Sequence, residues 1–460
     1  MQGKSFYFIG IGGIGMSALA RYFMHGGHTV GGYDRTPSTL CDALAEEGAD
    51  IHYEDSVAAI GEAFRDPART TVIYTPAVPA DHSELRWFRE RGFRVVKRSQ
   101  ALGVLAEGRY VMAVAGTHGK TTTSTLAAWL NHAVDGCGSA FLGGISKNFG
   151  SNLVLGAGDR LAVEADEFDR SFLQLHPDVA VVTSADADHL DIYGTHEAVK
   201  EAFAQFVSQI RPGGALVMKL GTDVAVRNGA IDVYSYSFDA PCDFYATRIS
   251  IAPSGHYRFD LVTPSGTIAE CTLGIPGWVN VENAVAACAA LWVAERREGR
   301  DIDPVRLREA LASFSGVKRR FEFYVNTLRQ VYMDDYAHHP RELLAAITSV
   351  RRMFPGRRLT ALFQPHLYTR TRDFCEEFAE ALSHADEGGL LPIYPAREEP
   401  IEGVASESIA RSVTVPCRIV GRERLAETVS AMDTDVTVSF GAGNIDACCE
   451  ALAEVLQRKA

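Results

Sequence analysis

The sequence predicts an α/β protein of three successive domains: a Rossmann-like domain over residues 1–105, a central P-loop sheet with an antiparallel appendage over 106–314, and an α/β Rossmann-like domain over 315–460. Three observations carry this. The first two segments each open on a strand, a glycine-rich turn and a helix; polar clusters recur directly after short apolar runs; and 460 residues exceed what one hydrophobic core holds.

In the first segment, Ser5 to Ile9 is a β-rich apolar run, Gly10-Ile-Gly12-Gly13-Ile14-Gly15 follows, and Met16 to Met24 reads as a helix ended by Gly26-Gly27. A second strand, Thr29 to Tyr33, ends at Asp34. This is the spacing of a dinucleotide fingerprint. Glycines let the backbone approach a diphosphate, unpaired N–H groups at the helix start receive it, and the acid bonds a ribose hydroxyl. Thr71 to Thr75 and Arg94 to Lys97 are further strands, and Arg98 to Gln100 reads as a polar crossing before the boundary. About 100 residues is small for a complete two-halved dinucleotide fold.

The second segment begins with the strand Tyr110 to Ala115, then Gly116-Thr117-His118-Gly119-Lys120-Thr121-Thr122 and a helix to about Ala133. Gly-Lys-Thr at a strand-to-helix turn is a phosphate loop: N–H groups cradle phosphates, Lys120 supplies a cation, and Thr121 offers its hydroxyl to Mg²⁺. It is a short variant, because Val114 stands where the longer motif has its first glycine. Strands Arg160 to Val163 and Val179 to Thr183 end at Glu164-Ala-Asp166-Glu167 and Asp186-Ala-Asp188-His189, acidic clusters on the edge where open α/β sheets bind ligands. After the helix Glu197 to Gln209 and strand Ala215 to Leu220, short β runs over 232–273 read as the antiparallel appendage. Asn280 and Asn283 precede the apolar helix Ala284 to Arg296, where they cap it or bond an adenine edge.

The third segment starts after Ser313 to Val317 with Lys318-Arg319-Arg320-Phe-Glu. Strand Val331 to Met333 leads into Asp334-Asp335-Tyr-Ala-His338-His339, and Pro340 stands at the first position of the helix Arg341 to Arg352. Strand Leu359 to Phe363 leads into Gln364-Pro-His366 and Thr369-Arg370-Thr-Arg372; strand Val436 to Phe440 leads into Gly441-Ala-Gly443-Asn444. Charged and imidazole groups thus gather after strands a third time.

A formal charge of −13 argues against nonspecific binding to DNA or an anionic membrane, so neither nucleic acid nor membrane insertion is expected. Nine scattered cysteines without a C-x-x-C pair suit a reducing cytoplasm. No apolar run approaches the roughly 20 residues of a membrane span.

Taken in order, Gly-Ile-Gly-Gly-Ile-Gly, Gly-Thr-His-Gly-Lys-Thr-Thr-Thr, Glu-Ala-Asp-Glu, Ala-Asp-His, Asn-Val-Glu-Asn-Ala, Lys-Arg-Arg-Phe-Glu, Asp-Asp-Tyr-Ala-His-His-Pro and Phe-Gln-Pro-His resemble the Mur ligase family from residue 5 to about 450. The motifs look most like the members that join L-alanine to the lactyl carboxylate of UDP-N-acetylmuramate through an acyl phosphate, in peptidoglycan precursor synthesis. The resemblance implies a UDP-sugar on the first domain, ATP and Mg²⁺ on the second, and amino acid on the third, with domain closure excluding water. It implies phosphate contact by Lys120, metal binding by Thr121, Glu164 and His189, and nucleotide contacts by Asn280, Asn283, Arg319 or Arg320, and Asp335. His338, His339, His366, Arg370 and Arg372 would face the amino acid, with His338 or His339 as a base near neutral pKa. Leu367 departs from relatives that carry a basic residue after Gln-Pro-His. A monomer or homodimer is expected. Three other readings are a ligase attaching a recycled tripeptide to the same sugar, a nicotinamide-dependent dehydrogenase, and a non-catalytic ATP-binding module. The dehydrogenase uses Gly10 to Asp34 but leaves the phosphate loop and both acid clusters idle.

Overall fold

The computed structural model describes residues 5–460 except 137, 189, 253, 254 and 397, with the backbone alone at 135, 190 and 191. Its strands fall into three sheets. The first holds β1 (Ser5–Ile9), β2 (Thr29–Tyr33), β3 (Asp50–His52), β4 (Thr70–Tyr74) and β5 (Arg94–Lys97) in the order β3-β2-β1-β4-β5, all parallel. This is the Rossmann order without its sixth strand, and the order reverses at β1, the strand that feeds the glycine turn. Alternation along β1 sends Phe6 and Phe8 to one face and Tyr7 and Ile9 to the other. Phe6 stacks on Phe23 of the helix Ile14–His25, with ring centroids 3.6 Å apart. The stretch at Arg98 to Gln100 is not a crossing but the first turn of a helix, Arg98–Ala106. Gln100 caps it by accepting the Lys97 N–H at 2.9 Å, and Ala101, Leu102 and Ala106 are buried.

The second sheet has ten strands: β6 (Tyr110–Ala115), β7 (Ser139–Ser146), β8 (Ser151–Val154), β9 (Arg160–Glu164), β10 (Val179–Val182), β11 (Ala215–Lys219), β12 (Asp232–Ser237), β13 (Phe244–Ile251), β14 (His256–Thr263) and β15 (Gly266–Pro276). They lie in the order β15-β14-β13-β12-β11-β10-β6-β9-β7-β8. From β7 to β13 the neighbours run parallel, and β8 folds back antiparallel on β7. The β7–β8 hairpin escapes the sequence pattern because Gly143-Gly144 interrupts its apolar run. The appendage is narrower than its composition suggests. Both β11–β12 and β12–β13 pair parallel, so reversal starts at β13, where the connections 252–255 and 264–265 are too short for a crossover. The next helix spans Trp278–Arg297, so Asn280 and Asn283 lie inside it and Asn283 does not cap it.

The third sheet contains β16 (Glu322–Asn326), β17 (Val331–Asp335), β18 (Leu359–Phe363), β19 (Glu387–Leu390), β20 (Cys417–Ile419) and β21 (Val436–Phe440) in the order β16-β17-β21-β18-β19-β20. Only β16 is antiparallel to its neighbour. The three polar clusters of this segment therefore leave the ends of three adjacent strands: β17, β21 and β18. By compactness the chain forms two units, Met1–Thr247 with Asp260–Cys271 and Glu282–Ser315, and Arg248–Phe259 with Thr272–Val281 and Gly316–Ala460. The core of the first unit runs continuously from Phe6 to Leu216.

Candidate functional site

The glycine turn of the first unit is tightly built. Gly10 has φ +86°, and a Cβ there would lie 2.5 Å from Thr75 Cγ2. Gly12 donates its N–H to Asp34 Oδ2 at 2.7 Å, and Thr36 N–H reaches Oδ1 at 3.3 Å. The acid read as a ribose ligand thus also closes the turn onto β2. Gly13 and Ile14 begin the helix, and the Ile14 carbonyl accepts from Asn152 Nδ2 of β8 at 2.6 Å. Arg21 holds the other end of that amide, Nη1 to Asn152 Oδ1 at 2.7 Å, so the central sheet fixes the first helix directly.

The phosphate loop shows why its glycines are glycines. At Gly116, φ is +142° and a Cβ would fall 1.9 Å from Thr183 Oγ1; Gly119, at φ +80°, precedes the helix Lys120–Asp135. Ser184 ties the loop through Thr117 Oγ1 at 2.8 Å and the His118 N–H at 2.9 Å. His118 Nε2 lies 3.5 Å from Asp186. Thr121 and Thr122 are buried in the first helical turn. Lys120 Nζ donates to the Gly116 carbonyl at 2.7 Å and to Glu167 Oε1 at 2.8 Å. Burial opposes its charge, yet the carboxylates of Glu167, Asp166 and Glu164 hold its pKa above the ordinary lysine value. Asn283 leans on this loop, accepting from Thr123 Oγ1 at 3.2 Å.

Beside the glycine turn lies a cavity of about 230 Å³. Its lining includes Gly13, Gly15, Arg98, Gly143, Glu164 and Asp166. Gly143 makes room for the Glu164 carboxylate, which a Cβ would approach to 2.2 Å. Arg98 Nη2 pairs with Asp166 Oδ2 at 3.1 Å, while Lys97 pairs with Asp169 at 2.7 Å.

In the second unit Arg319 and Arg320 separate into different jobs. Arg319 is committed to Asp334 (Nε to Oδ2, 3.0 Å) and to the carbonyls of Gly441 and Gly443 at 2.6 and 3.2 Å. Arg320 stacks on Tyr336, 5.0 Å from the ring centre, and its guanidinium makes no hydrogen bond among the described residues. Asp335 accepts from the N–H groups of Phe321 and Ala337, both at 2.9 Å, and burial pushes its carboxyl up to about 6. Asn280 Nδ2 donates to the Pro276 carbonyl at 2.6 Å.

His338 and His366 meet edge to face, ring centres 6.0 Å apart, and His366 stacks on Tyr394 at 5.7 Å. The Arg370 charge faces His338, and Arg370 Nη1 is shut from solvent without a hydrogen-bond partner among the described residues. A base of near-neutral pKa is not found at His338. Burial first, and then the Arg370 charge, hold it down to about 4 against the pull of Glu342. His339 is the N-cap of the helix Pro340–Met353, its side chain accepting from the Arg341 N–H. Arg372 does not join the cluster: it is exposed and paired with its neighbour Asp373 at 2.7 Å. Leu367 is buried at φ +72°, where its carbonyl accepts from Thr371 Oγ1 at 2.8 Å.

Three family models match the chain in order: the Mur ligase family catalytic domain over 5–110, the Mur ligase middle domain over 114–291, and the Mur ligase glutamate ligase domain over 319–443. A UDP-N-acetylmuramate–L-alanine ligase of Parabacteroides distasonis is 51% identical over 98% of this chain and 96% of its own length. The chain belongs to the Mur ligase family. A second relative of the same description, from Phocaeicola vulgatus, is 48% identical over 99% of both chains. Among solved structures, the UDP-N-acetylmuramate-alanine ligase of Thermotoga maritima aligns at TM-score 0.82 with 25% identity, covering 99% of this chain and 100% of that one. A murein peptide ligase of Psychrobacter arcticus aligns at 0.71 with 23% identity, covering 99% of each.

For this Mur ligase, sequence reasoning missed Arg98, Gly143 and the lysine-holding role of Glu167. Arg98 follows directly on β5, and the rule that ligands bind beyond strand ends would have found it. Gly143 and Glu167 act through contacts between residues distant in sequence. His189 lies outside the described residues. Among the described residues no three His, Cys, Asp or Glu side chains converge on one point. Thr121 and Glu164 still fit Mg²⁺, a hard cation that takes one or two protein oxygens and fills its shell with water and substrate phosphates.

Proposed function

We propose that this Mur ligase joins L-alanine to the lactyl carboxylate of UDP-N-acetylmuramate at the expense of ATP, in the cytoplasm, as a step in peptidoglycan precursor synthesis. The observation that carries the reading is a cavity lined by the glycine turn and by Glu164 and Asp166, together with a phosphate loop whose lysine is held by Glu167, the next residue after Asp166. Gly10, Gly12, Gly13, Ile14 and Gly15 cradle the diphosphate of the sugar nucleotide, with Asp34 bracing them. Gly116 to Thr122 cradle the phosphates of ATP. Asn280, Asn283 and Arg320 serve the nucleotide, Asp335 holds the 319–337 segment in place, and Arg370 and His366 receive the amino acid.

The lactyl carboxylate attacks the γ-phosphorus, the bond to ADP breaks, and an acyl phosphate forms. The neutral amine of alanine then attacks the acyl carbon, and phosphate leaves carrying the amine's proton, which gives the amide. Lys120 neutralises charge on the transferring group, an electrostatic task that dominates phosphoryl transfer. Thr121 and Glu164 would hold Mg²⁺, which adds positive charge at the phosphates. With its pKa near 4, His338 is neutral at pH 7 and orients the amine by accepting a hydrogen bond rather than by storing its proton. Phosphate release should be measured with UDP-N-acetylmuramate, ATP and Mg²⁺ across free amino acids and the tripeptide. Strong dependence on L-alanine is expected; equal or greater rates with the tripeptide would replace this reading by the recycling one.

A further inference from the structure

Arg98 and Lys97 stand at the N-terminal end of the helix Arg98–Ala106, where the helix dipole disfavours cations. Both are retained there by acids of the central domain, Asp166 and Asp169. The Arg98 guanidinium lies across the first turn of the helix Ile14–His25. A Cβ on Gly15 would stand 2.7 Å from Nη1, 3.1 Å from Cδ and 3.3 Å from Cζ. The last glycine of the turn therefore makes room for a cation at the place where a bound diphosphate meets the helix N-terminus. Its side chain is 18% exposed, on the wall of the cavity that also holds Glu164.

Asp166 and Glu167 are consecutive residues. Asp166 holds Arg98 beside the glycine turn, and Glu167 holds Lys120 beside the phosphate loop. Within one loop after β9, each of the two anion-binding turns has its cation parked on a carboxylate. We propose that Arg98 is a further substrate-binding residue, which leaves Asp166 to bind the diphosphate of the sugar nucleotide. This rests on the reading of the first domain as the UDP-sugar site. The planar fork of arginine matches phosphate oxygens in pairs, which a lysine cannot reproduce.

The experiment is direct titration of UDP-N-acetylmuramate, UDP and uridine into the full chain without ATP, with ATP titrated separately as a control on folding. Arg98→Ala should weaken UDP-N-acetylmuramate and UDP about 10- to 100-fold, the worth of a charge-assisted pair, while uridine and ATP stay within about twofold. Arg98→Lys, which keeps the ion pair with Asp166, should fall between. Asp166→Asn frees the guanidinium and should bind UDP at least as tightly as the unaltered chain. Unchanged UDP affinity in both arginine variants overturns the proposal. So does an Asp166→Asn loss equal to that of Arg98→Ala, because Arg98 would then act only by tethering the acid. If the unaltered chain itself fails to bind UDP-N-acetylmuramate, the reading of the domain falls, and the proposal with it.

Discussion

Lys120 and Arg98 of the first unit and Arg370 of the second are kept in opposite ways. Lys120 is buried against Glu167 and Arg98 sits on Asp166, whereas Arg370 has a buried Nη1 without a hydrogen-bond partner among the described residues and faces an uncharged imidazole. A buried charge without a counter-ion costs more than one that is already paired. In the proposed reading the paired cations are held by their acids until phosphate arrives and are then released to it. In the proposed reading the carboxylate of the amino acid gives Arg370 Nη1 the partner it lacks among the described residues.

The largest effect should come from Lys120→Ala. It removes the charge at the phosphates and leaves Glu167 buried and unmatched, so turnover measured by phosphate release should fall by at least 10²- to 10³-fold, the scale of losing one transition-state donor. Near-normal turnover would show that the Glu167 pair is purely structural. Next, Arg370→Ala should raise the KM for alanine about 10- to 100-fold, with the KM for ATP little changed. A parallel rise in both constants would mean that Arg370 organises the whole domain rather than one substrate.

A smaller effect is expected for the neutral imidazole. The unfolded chain takes up a proton at His338 near its ordinary pKa of 6.5, but the folded chain does so only near 4. The stability that depends on this residue is thus fully present above pH 6.5 and drains away as the pH falls from there through 4. His338→Gln should flatten that part of the Tm–pH curve; superimposable curves would place the titration elsewhere. Smallest of all is Arg372→Ala, which removes an exposed pair with Asp373 and should change the KM for alanine less than twofold and stability by less than about 0.5 kcal/mol. A large effect there would reverse the division drawn between the two arginines of the helix Tyr368–Asp373.

What the sequence by itself determined is the set of local features. Strand, glycine turn and helix are encoded by neighbours, through propensity and backbone conformations that only glycine adopts without cost, so Gly10 to Asp34 and Gly116 to Thr122 were legible, as were most strand positions. The same locality explains the misreadings. Arg98 to Gln100 looked like a crossing because the capping contact that starts its helix is not a hydrophobic period, and Gly143-Gly144 hid a hairpin whose glycine makes room for Glu164. Tertiary structure alone decided which charge meets which. Ion pairing depends on distance in space, and the partners of Arg98 and Lys120, like the isolation of Arg370 from Arg372, follow from how strand ends are brought together.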